Sequence, residues 1–384
     1  MSLSRRGFLS SLGAGGAGVL AAPLINWRGH EALFAQGAAS RRADRLLAAQ
    51  PGMIRIDSNE NPNGPGERVF EVIRRHLSES NRYPVKSEDD LTAAIARTHH
   101  IEPDHVILGS GSGELLRAAV SAFSSKDAGI VAPDPTFEAP ANWAKFINVP
   151  VIAPKVDATL QLDLGAMADQ GKGAGLVYFC NPNNPTATVH SLADVTAYVD
   201  QVARTSPATT ILIDEAYHEY VDEPSYGTAI PLALANPRVV VTRTFSKVFG
   251  MAGLRVGYAV GQPATLQKMA AWLLGSNVSQ LTLVAAAATV GDQQHIALEQ
   301  RRNRVTRAYT RTFFEKAGFS VSQGQANFMM VDLRRDAKQF KLDAIKHKVA
   351  VGRQFTALPT WVRVSVGTMP EMQKALQVFR TMLV

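Results

Sequence analysis

Six short apolar runs separated by helical stretches constrain the fold of this chain more than any other feature. The runs are residues 106–108, 129–132, 149–152, 176–180, 210–213 and 239–242. Stretches with a helical pattern, such as 114–123 and 192–203, lie between them. Short β-rich runs that alternate with helices are typical of a buried, largely parallel sheet. The sequence therefore predicts an α/β fold.

The later part of the chain has a different character. From about Glu299 it consists of basic amphipathic helices, with apolar runs at 328–331 and 362–366. This pattern predicts a second, smaller α/β domain. The predicted domains are residues 36–80, an N-terminal arm and small-domain segment; 81–290, the large domain; and 291–384, the small C-terminal domain. Polar residues interrupt the apolar stretch 269–290, which favours a buried helix behind a polar loop over a membrane span.

The composition excludes several classes of protein. The 384 residues are 46% hydrophobic and 19% charged and include one cysteine, so the chain can fold without disulfides or a structural metal. The net charge of +7 is scattered, without the long basic block that nucleic-acid binding requires. The histidines and carboxylates lack metal-ligand spacing. We therefore expect neither a nucleic-acid partner nor a metal site.

Residues 1–35 resemble an export signal. Arg5 and Arg6 precede an apolar stretch of small, uncharged residues that runs to Ile25. A basic segment followed by an apolar one is typical of a secretory signal, and the arginine pair resembles the twin-arginine type. We expect the twin-arginine machinery to export the protein, to the periplasm or beyond. The signal is then cleaved near Ala35 or retained as an anchor.

A lysine follows the last of the six apolar runs. Lys247 ends the segment Thr-Arg-Thr-Phe-Ser-Lys, and glycines and Arg255 come after it. A partly desolvated lysine amine has a lowered pKa and can form a Schiff base with an aldehyde. Thr244, Ser246 and Arg255 could bind a phosphate through hydroxyl groups and charge-assisted hydrogen bonds. The pattern favours an aldehyde cofactor with a phosphate over a solvated lysine at a strand end.

Three further motifs lie at predicted strand ends. Asp214 could pair with a protonated pyridine nitrogen, or else ligate a metal. The Gly-Ser-Gly-Ser-Gly turn at 109–113 precedes a helix, where backbone N–H groups bind phosphate, although a plain tight turn has similar residues. The Asn-Pro-Asn-Asn-Pro-Thr loop at 181–186 could aim an amide at a ring oxygen or serve only as a turn.

Together these four motifs resemble the fold-type-I, pyridoxal-phosphate-dependent aminotransferases of class I/II, in the branch of histidinol-phosphate aminotransferase. The resemblance runs from about Ile56 to Thr368. It implies an aspartate aminotransferase-like fold, in which a large domain with a mostly parallel seven-stranded sheet and flanking helices binds pyridoxal 5′-phosphate. It also implies a smaller α/β domain, a homodimer, and amino-acid and 2-oxo-acid substrates.

The resemblance implies a role for each matching residue that would contact the cofactor. Lys247 would form the Schiff base and move a proton at the substrate Cα, while Asp214 would bind the ring nitrogen. Asn184 and Tyr217 would bind the ring hydroxyl oxygen, and Phe137 would stack on the ring where relatives usually have Tyr. The phosphate would be bound by Ser112, Gly113, Thr244, Ser246, Arg255 and, from the neighbouring subunit, Tyr83.

Other matching residues would bind the substrate. Arg363 would bind its α-carboxylate and Arg353 its distal group, while Asn59 lies in the segment that closes over the site. The sequence departs from the family pattern at Gly113, where aspartate is common, and at Ala187, which replaces a glycine.

The expected function is transfer of the α-amino group of an amino acid, or of a histidinol-phosphate-like amine, to a 2-oxo acid. An amino-acid oxidase, decarboxylase or racemase would use the same lysine and aspartate, so these activities are alternatives. The other alternative is an exported binding protein without catalysis.

Overall fold

The computed structural model describes residues 50–383. The predicted export signal and residues 36–49 of the predicted arm lie outside them. The helices are α1 Glu67–His76, α2 Val85–His99, α3 Ser112–Phe123, α4 Ala139–Phe146, α5 Leu164–Gln170, α6 Leu192–Thr205, α7 Ile230–Ala235, α8 Pro263–Ala270, α9 Gln280–Thr289, α10 Gln293–Lys316, α11 Ala337–Lys346 and α12 Met369–Met382. The strands are β1 Ile54–Ile56, β2 Val106–Gly109, β3 Ile130–Val131, β4 Val151–Ile152, β5 Leu176–Cys180, β6 Thr210–Asp214, β7 Val239–Thr244, β8 Gly257–Val260, β9 Ser320–Val321, β10 Phe328–Asp332, β11 Val349–Val351 and β12 Trp361–Ser365.

A seven-stranded sheet forms the larger lobe, with strand order β2-β8-β7-β6-β5-β3-β4. Strand β8 is antiparallel to both of its neighbours, and the remaining pairs are parallel. The predicted mostly parallel sheet is therefore confirmed. The six apolar runs correspond to six of its strands. The runs did not reveal β8, which directly follows the glycine-rich segment after Lys247.

Both faces of this sheet are buried. In β5, Val177 and Phe179 pack in one hydrophobic core, while Tyr178 and Cys180 pack in the other. Side chains alternate between the two faces of a strand, so β5 is apolar along its whole length. Cys180 pairs with Asp214 across β5 and β6. Asp214 therefore lies on the Tyr178 face, at the carboxyl end of its strand.

The smaller lobe has its own core. Strands β12, β10 and β9 form an antiparallel sheet, and β1 pairs with β11 in parallel. Phe314, Phe340 and Phe379 pack together in this core. The 24-residue helix α10 joins the lobes, because its Ile296 packs in the large-lobe core and its Phe314 in the small-lobe core.

The apolar stretch near residue 280 forms a buried helix. Helix α9 follows a loop at 271–279, and five of its residues are buried, among them Leu283 and Ala286. Its N-terminus is capped by the Ser279 hydroxyl. The predicted buried helix is confirmed. Within residues 50–383, no helix is both long and apolar enough to cross a membrane.

Candidate active site

Lys247 lies just beyond β7, next to the N-terminal segment. Its Nζ donates a hydrogen bond to the Asn59 carbonyl oxygen at 3.1 Å and lies 5.3 Å from the centre of the Tyr217 ring. Burial and the nearby Arg363 cation lower the Lys247 pKa to about 8. Both effects disfavour the ammonium form. The amine therefore has a substantial neutral, nucleophilic fraction near neutral pH.

Asp214 is buried at the end of β6 and is hydrogen-bonded through both carboxylate oxygens. The Tyr178 hydroxyl donates to its Oδ2 at 2.8 Å, and the Thr242 hydroxyl donates to its Oδ1 at 3.3 Å. Burial raises the Asp214 pKa to about 6, although these donors and Lys247 oppose the rise. A cation beside this carboxylate would stabilise its ionised form.

A hydrogen-bond network joins Tyr217 to Arg363. The Tyr217 Oη accepts bonds from Asn59 Nδ2 at 3.2 Å and from Asn184 Nδ2 at 3.4 Å. Arg363 donates to Asn184 Oδ1 at 2.9 Å and to the Asp57 carbonyl oxygen at 2.7 Å. Among residues 50–383, the buried Arg363 Nε has no hydrogen-bond partner. These acceptors are uncharged, so Arg363 can still bind an anion.

The residues predicted to bind phosphate come together at the N-terminus of α3. Thr244 Oγ1 donates to Ser246 Oγ at 2.9 Å, and Arg255 Nη1 donates to Ser246 Oγ at 3.3 Å. A Cβ placed on Gly111 would lie 2.2 Å from Arg255 Nη2, which brings the guanidinium against the glycine turn. Ser112 and Gly113 begin the helix, where backbone N–H groups have no acceptor within the helix. We refer to these residues as the cradle.

The cradle and its surroundings fit pyridoxal phosphate. The Arg255 guanidinium, two hydroxyl groups and a helix N-terminus supply the donors that a phosphate dianion requires. Among residues 50–383, no cationic side chain lies at hydrogen-bond distance from the buried Asp214, so a protonated ring nitrogen could serve as its partner. Phe137 is half-buried, and its loop is held to the Asn-Pro loop by a hydrogen bond from Thr136 Oγ1 to Asn183 Oδ1 at 2.7 Å.

Two predicted site residues lie apart from this network. Tyr83 is 87% exposed, and no hydrogen bond within residues 50–383 joins it to the cradle. Arg353 forms an ion pair with Glu138 and lies 4.1 Å from the centre of the Phe355 ring.

Sequence reasoning missed several residues that shape the site. Tyr178 could have been found from its strand, because it lies on the same face as Asp214 in the neighbouring strand. Asp57 contacts Arg363 through its backbone carbonyl, which any residue type could supply. Glu138 pairs with Arg353, 215 positions away. Neither contact could therefore be predicted from a local sequence pattern. Within residues 50–383, no group of three or more His, Cys, Asp or Glu side chains could hold a metal ion.

Similarity to known proteins covers most of the chain. Residues 51–379 match the family described as aminotransferase class I and II. Histidinol-phosphate aminotransferase of Symbiobacterium thermophilum is 31% identical over 86% of this chain and 91% of its own. Aromatic amino acid aminotransferase of Thermobifida fusca is 32% identical over 89% of this chain and 93% of its own. A crystal structure of Sinorhizobium meliloti histidinol-phosphate aminotransferase, solved with pyridoxal-5′-phosphate, shares the fold at a TM-score of 0.81, with 24% identity over 88% and 94% of the two chains.

These similarities confirm the predicted aspartate aminotransferase-like fold and the predicted cofactor, pyridoxal 5′-phosphate. They favour transamination over the oxidase, decarboxylase, racemase and non-catalytic alternatives. The chain belongs to the class I and II aminotransferases, enzymes that use pyridoxal phosphate to transfer an amino group from an amino acid to a 2-oxo acid.

Proposed function

We propose that Lys247 is the catalytic amine of this aminotransferase and that Arg363 binds the α-carboxylate of its substrates. The observation that carries the proposal is the continuous network from Lys247 through Asn59, Tyr217 and Asn184 to Arg363. It brings a nucleophilic amine close to the buried Arg363 cation, which forms no ion pair with a carboxylate among residues 50–383. Both substrates of a transamination, the amino acid and the 2-oxo acid, have the carboxylate that such a cation binds.

The proposed chemistry needs a base at the substrate Cα. When bound, pyridoxal phosphate supplies an aldehyde that condenses with amines and a ring that withdraws electrons from Cα. Lys247 Nζ, with a pKa of about 8, takes the Cα proton in its neutral form and can deliver a proton as the ammonium. In the cofactor-free chain, a bond to the Asn59 carbonyl oxygen holds the amine in place.

The other residues orient the reacting groups. Asp214 would accept a hydrogen bond from the ring nitrogen, and Tyr178 and Thr242 fix the orientation of its carboxylate. Tyr217 and Asn184 would bind the ring hydroxyl oxygen. The cradle would anchor the phosphate, and the side chain of Phe137 would stack on the ring.

Replacing the lysine tests this function. Lys247→Ala should lose both the visible absorption band of the bound cofactor and at least about a thousandfold in kcat, because the amine is both the anchor and the base. Lys268→Ala, on the exposed face of α8, is the control and should keep both. If Lys247→Ala retained turnover close to that of the control, Lys247 would not be the catalytic amine.

We also propose that the enzyme is a homodimer in which Tyr83 reaches the phosphate of the partner subunit. Aminotransferases of this family are typically dimeric. Two neighbouring segments support an interface here, because Tyr83, Val85, Trp272 and Leu274 are all exposed. A hydrogen bond from Gln280 Nε2 to Glu79 Oε2 at 2.7 Å links these segments.

A mixed dimer tests the role of Tyr83. Consider a dimer of one Tyr83→Phe subunit and one Lys247→Ala subunit. The site with the intact Lys247 receives an intact Tyr83 from the partner, whereas the other site lacks both groups. About half of the dimer's sites should therefore be active. If Tyr83 served its own subunit, the mixed dimer would be no more active than its two parents. Light scattering that finds only monomers would also contradict the proposal.

The twin-arginine export of this enzyme is likewise a proposal, supported by Arg5, Arg6 and the apolar stretch that follows. This route would deliver the enzyme to the periplasm or beyond. Changing the arginine pair to lysines should keep the protein in the cytoplasm, as measured by cell fractionation. Unchanged export would contradict this route.

A further inference from the structure

An ion pair crosses from the large lobe to the small lobe beside the proposed substrate site. Glu138 follows Phe137 and is the N-cap residue of α4, although its side chain does not cap that helix. Arg353 lies in the loop that follows β11. Their side chains are joined by a salt bridge, and each is about one-third exposed, at 35% and 37%. The pair is therefore accessible to a small molecule from solvent.

The aromatic ring of Phe355 sets the distance between this pair and Arg363. The Arg353 guanidinium lies 4.1 Å from the ring centre and the Arg363 guanidinium 5.6 Å from it, so their central carbons are at most about 10 Å apart. The backbone next to Arg353 also packs against Arg363, because a Cβ on Gly352 would lie 2.9 Å from the Arg363 Cβ. A ligand whose carboxylate is bound by Arg363 thus has Arg353 within reach of its side chain.

The two arginines differ in what they already bind. Within the described part of the chain, Arg363 donates only to uncharged oxygens, whereas Arg353 is neutralised by the Glu138 carboxylate. An anionic side chain must displace Glu138 from Arg353 or lie beside its negative charge. An uncharged side chain avoids that cost, and an aromatic one can pack on Phe355.

We propose that Glu138 is a specificity-determining residue that selects amino acids with uncharged, above all aromatic, side chains over those with anionic ones. This inference rests on the proposed role of Arg363. Glu138 acts by cancelling the charge of Arg353, so that one end of the substrate site is cationic and the other is neutral. A doubly charged phosphate or a distal carboxylate is then a poor ligand at the neutral end.

Binding of two unreactive ligands to the holoenzyme tests the proposal. Glutarate and 3-phenylpropionate have the carbon skeletons of glutamate and phenylalanine without the amino group, so calorimetry can measure their Kd values without turnover. The wild-type enzyme should bind 3-phenylpropionate more tightly. Glu138→Gln should shift the ratio of the two Kd values about fivefold towards glutarate, the size expected for a partly exposed pair.

Two further variants make the result specific. Arg353→Gln leaves the Glu138 charge unpaired and should shift the ratio in the opposite direction. Asp134→Asn removes a carboxylate from the same loop, where it pairs with Lys155, and should leave the ratio within about twofold.

The outcomes separate the two proposals. If Glu138→Gln shifts the ratio no more than Asp134→Asn, or if Glu138→Gln and Arg353→Gln shift it in the same direction, Glu138 does not set the selectivity, and the role of Arg363 stands. If the wild-type enzyme binds neither ligand, the role of Arg363 as the carboxylate site is wrong and this inference fails with it.

Discussion

Asp214 and Lys247 have pKa values that burial moves towards one another. The Asp214 pKa rises to about 6 and the Lys247 pKa falls to about 8, because burial penalises both charged forms. The neighbours act differently on the two groups. Hydrogen bonds from Tyr178 and Thr242 oppose the rise at Asp214, whereas the Arg363 cation adds to the fall at Lys247. The site therefore offers a carboxylate to a cationic partner and raises the neutral fraction of the Lys247 amine.

The Lys247 amine of the cofactor-free enzyme should titrate near pH 8. About a tenth of such an amine is neutral at pH 7, against roughly 0.04% for an ordinary lysine. Because only the neutral form reacts, acetylation of Lys247 should increase as pH rises through 8, which mass spectrometry of the labelled peptide can follow. Arg363→Gln removes a cation and should move this midpoint upward. A midpoint near 10 in the wild-type enzyme, or a downward shift in the variant, would contradict the assigned cause.

At the scale of elements, the turn before α3 determines how closely the cradle can surround a phosphate. Gly111 has a φ of +77°, and a Cβ on it would lie 2.2 Å from Arg255 Nη2. Gly111→Ala should therefore displace the guanidinium and weaken cofactor binding at least about tenfold, as measured by titration of the cofactor-free enzyme. Gly291→Ala, outside the cradle, is the control, because no atom of residues 50–383 lies within 4 Å of a Cβ there. Equal affinities for the two variants would show that Gly111 does not shape the cradle.

The loop between β5 and α6 contains a strained alanine. Ala187 has a φ of +61°, a region that favours glycine. Ala187→Gly should raise the free energy of unfolding by about 0.5–1 kcal/mol in urea denaturation. Ala203→Gly, on the exposed surface of α6, should lower it by a similar amount. A loss of stability in Ala187→Gly would mean that the alanine methyl contributes packing that outweighs its backbone strain.

The same elements explain how far the sequence could predict the fold. Strands β5, β6 and β7 were predictable because they are apolar on both faces and end at polar motifs. Strands β1 and β11 have three residues each, and their pairing joins positions nearly 300 residues apart, so no local pattern predicts it. Within the site, the residues of the strand-end motifs were predictable. The Glu138–Arg353 pair was not, because only tertiary packing brings those segments together.

At the scale of the whole molecule, the site is assembled from three distant parts of the chain. Asn59 comes from the N-terminal segment, Lys247 from the large lobe and Arg363 from the small lobe. Two hydrogen bonds join Asn59 to Ser365, which lies 306 positions later in the chain. The Asn59 backbone N–H donates to the Ser365 hydroxyl at 2.9 Å, and that hydroxyl donates to Asn59 Oδ1 at 2.7 Å. The site therefore exists only when both lobes and the N-terminal segment are folded together. Movement of one lobe would change the access of the substrate to Lys247 and to the Glu138–Arg353 pair.

Lys247 is the amine that we propose binds the cofactor. Reduction of the purified holoenzyme with borohydride makes the link between cofactor and lysine permanent, and mass spectrometry of the digested protein then locates it. We predict one phosphopyridoxyl group per chain, on the peptide that contains Lys247. A group attached to any other lysine, with Lys247 unmodified, would show that Lys247 does not bind the cofactor.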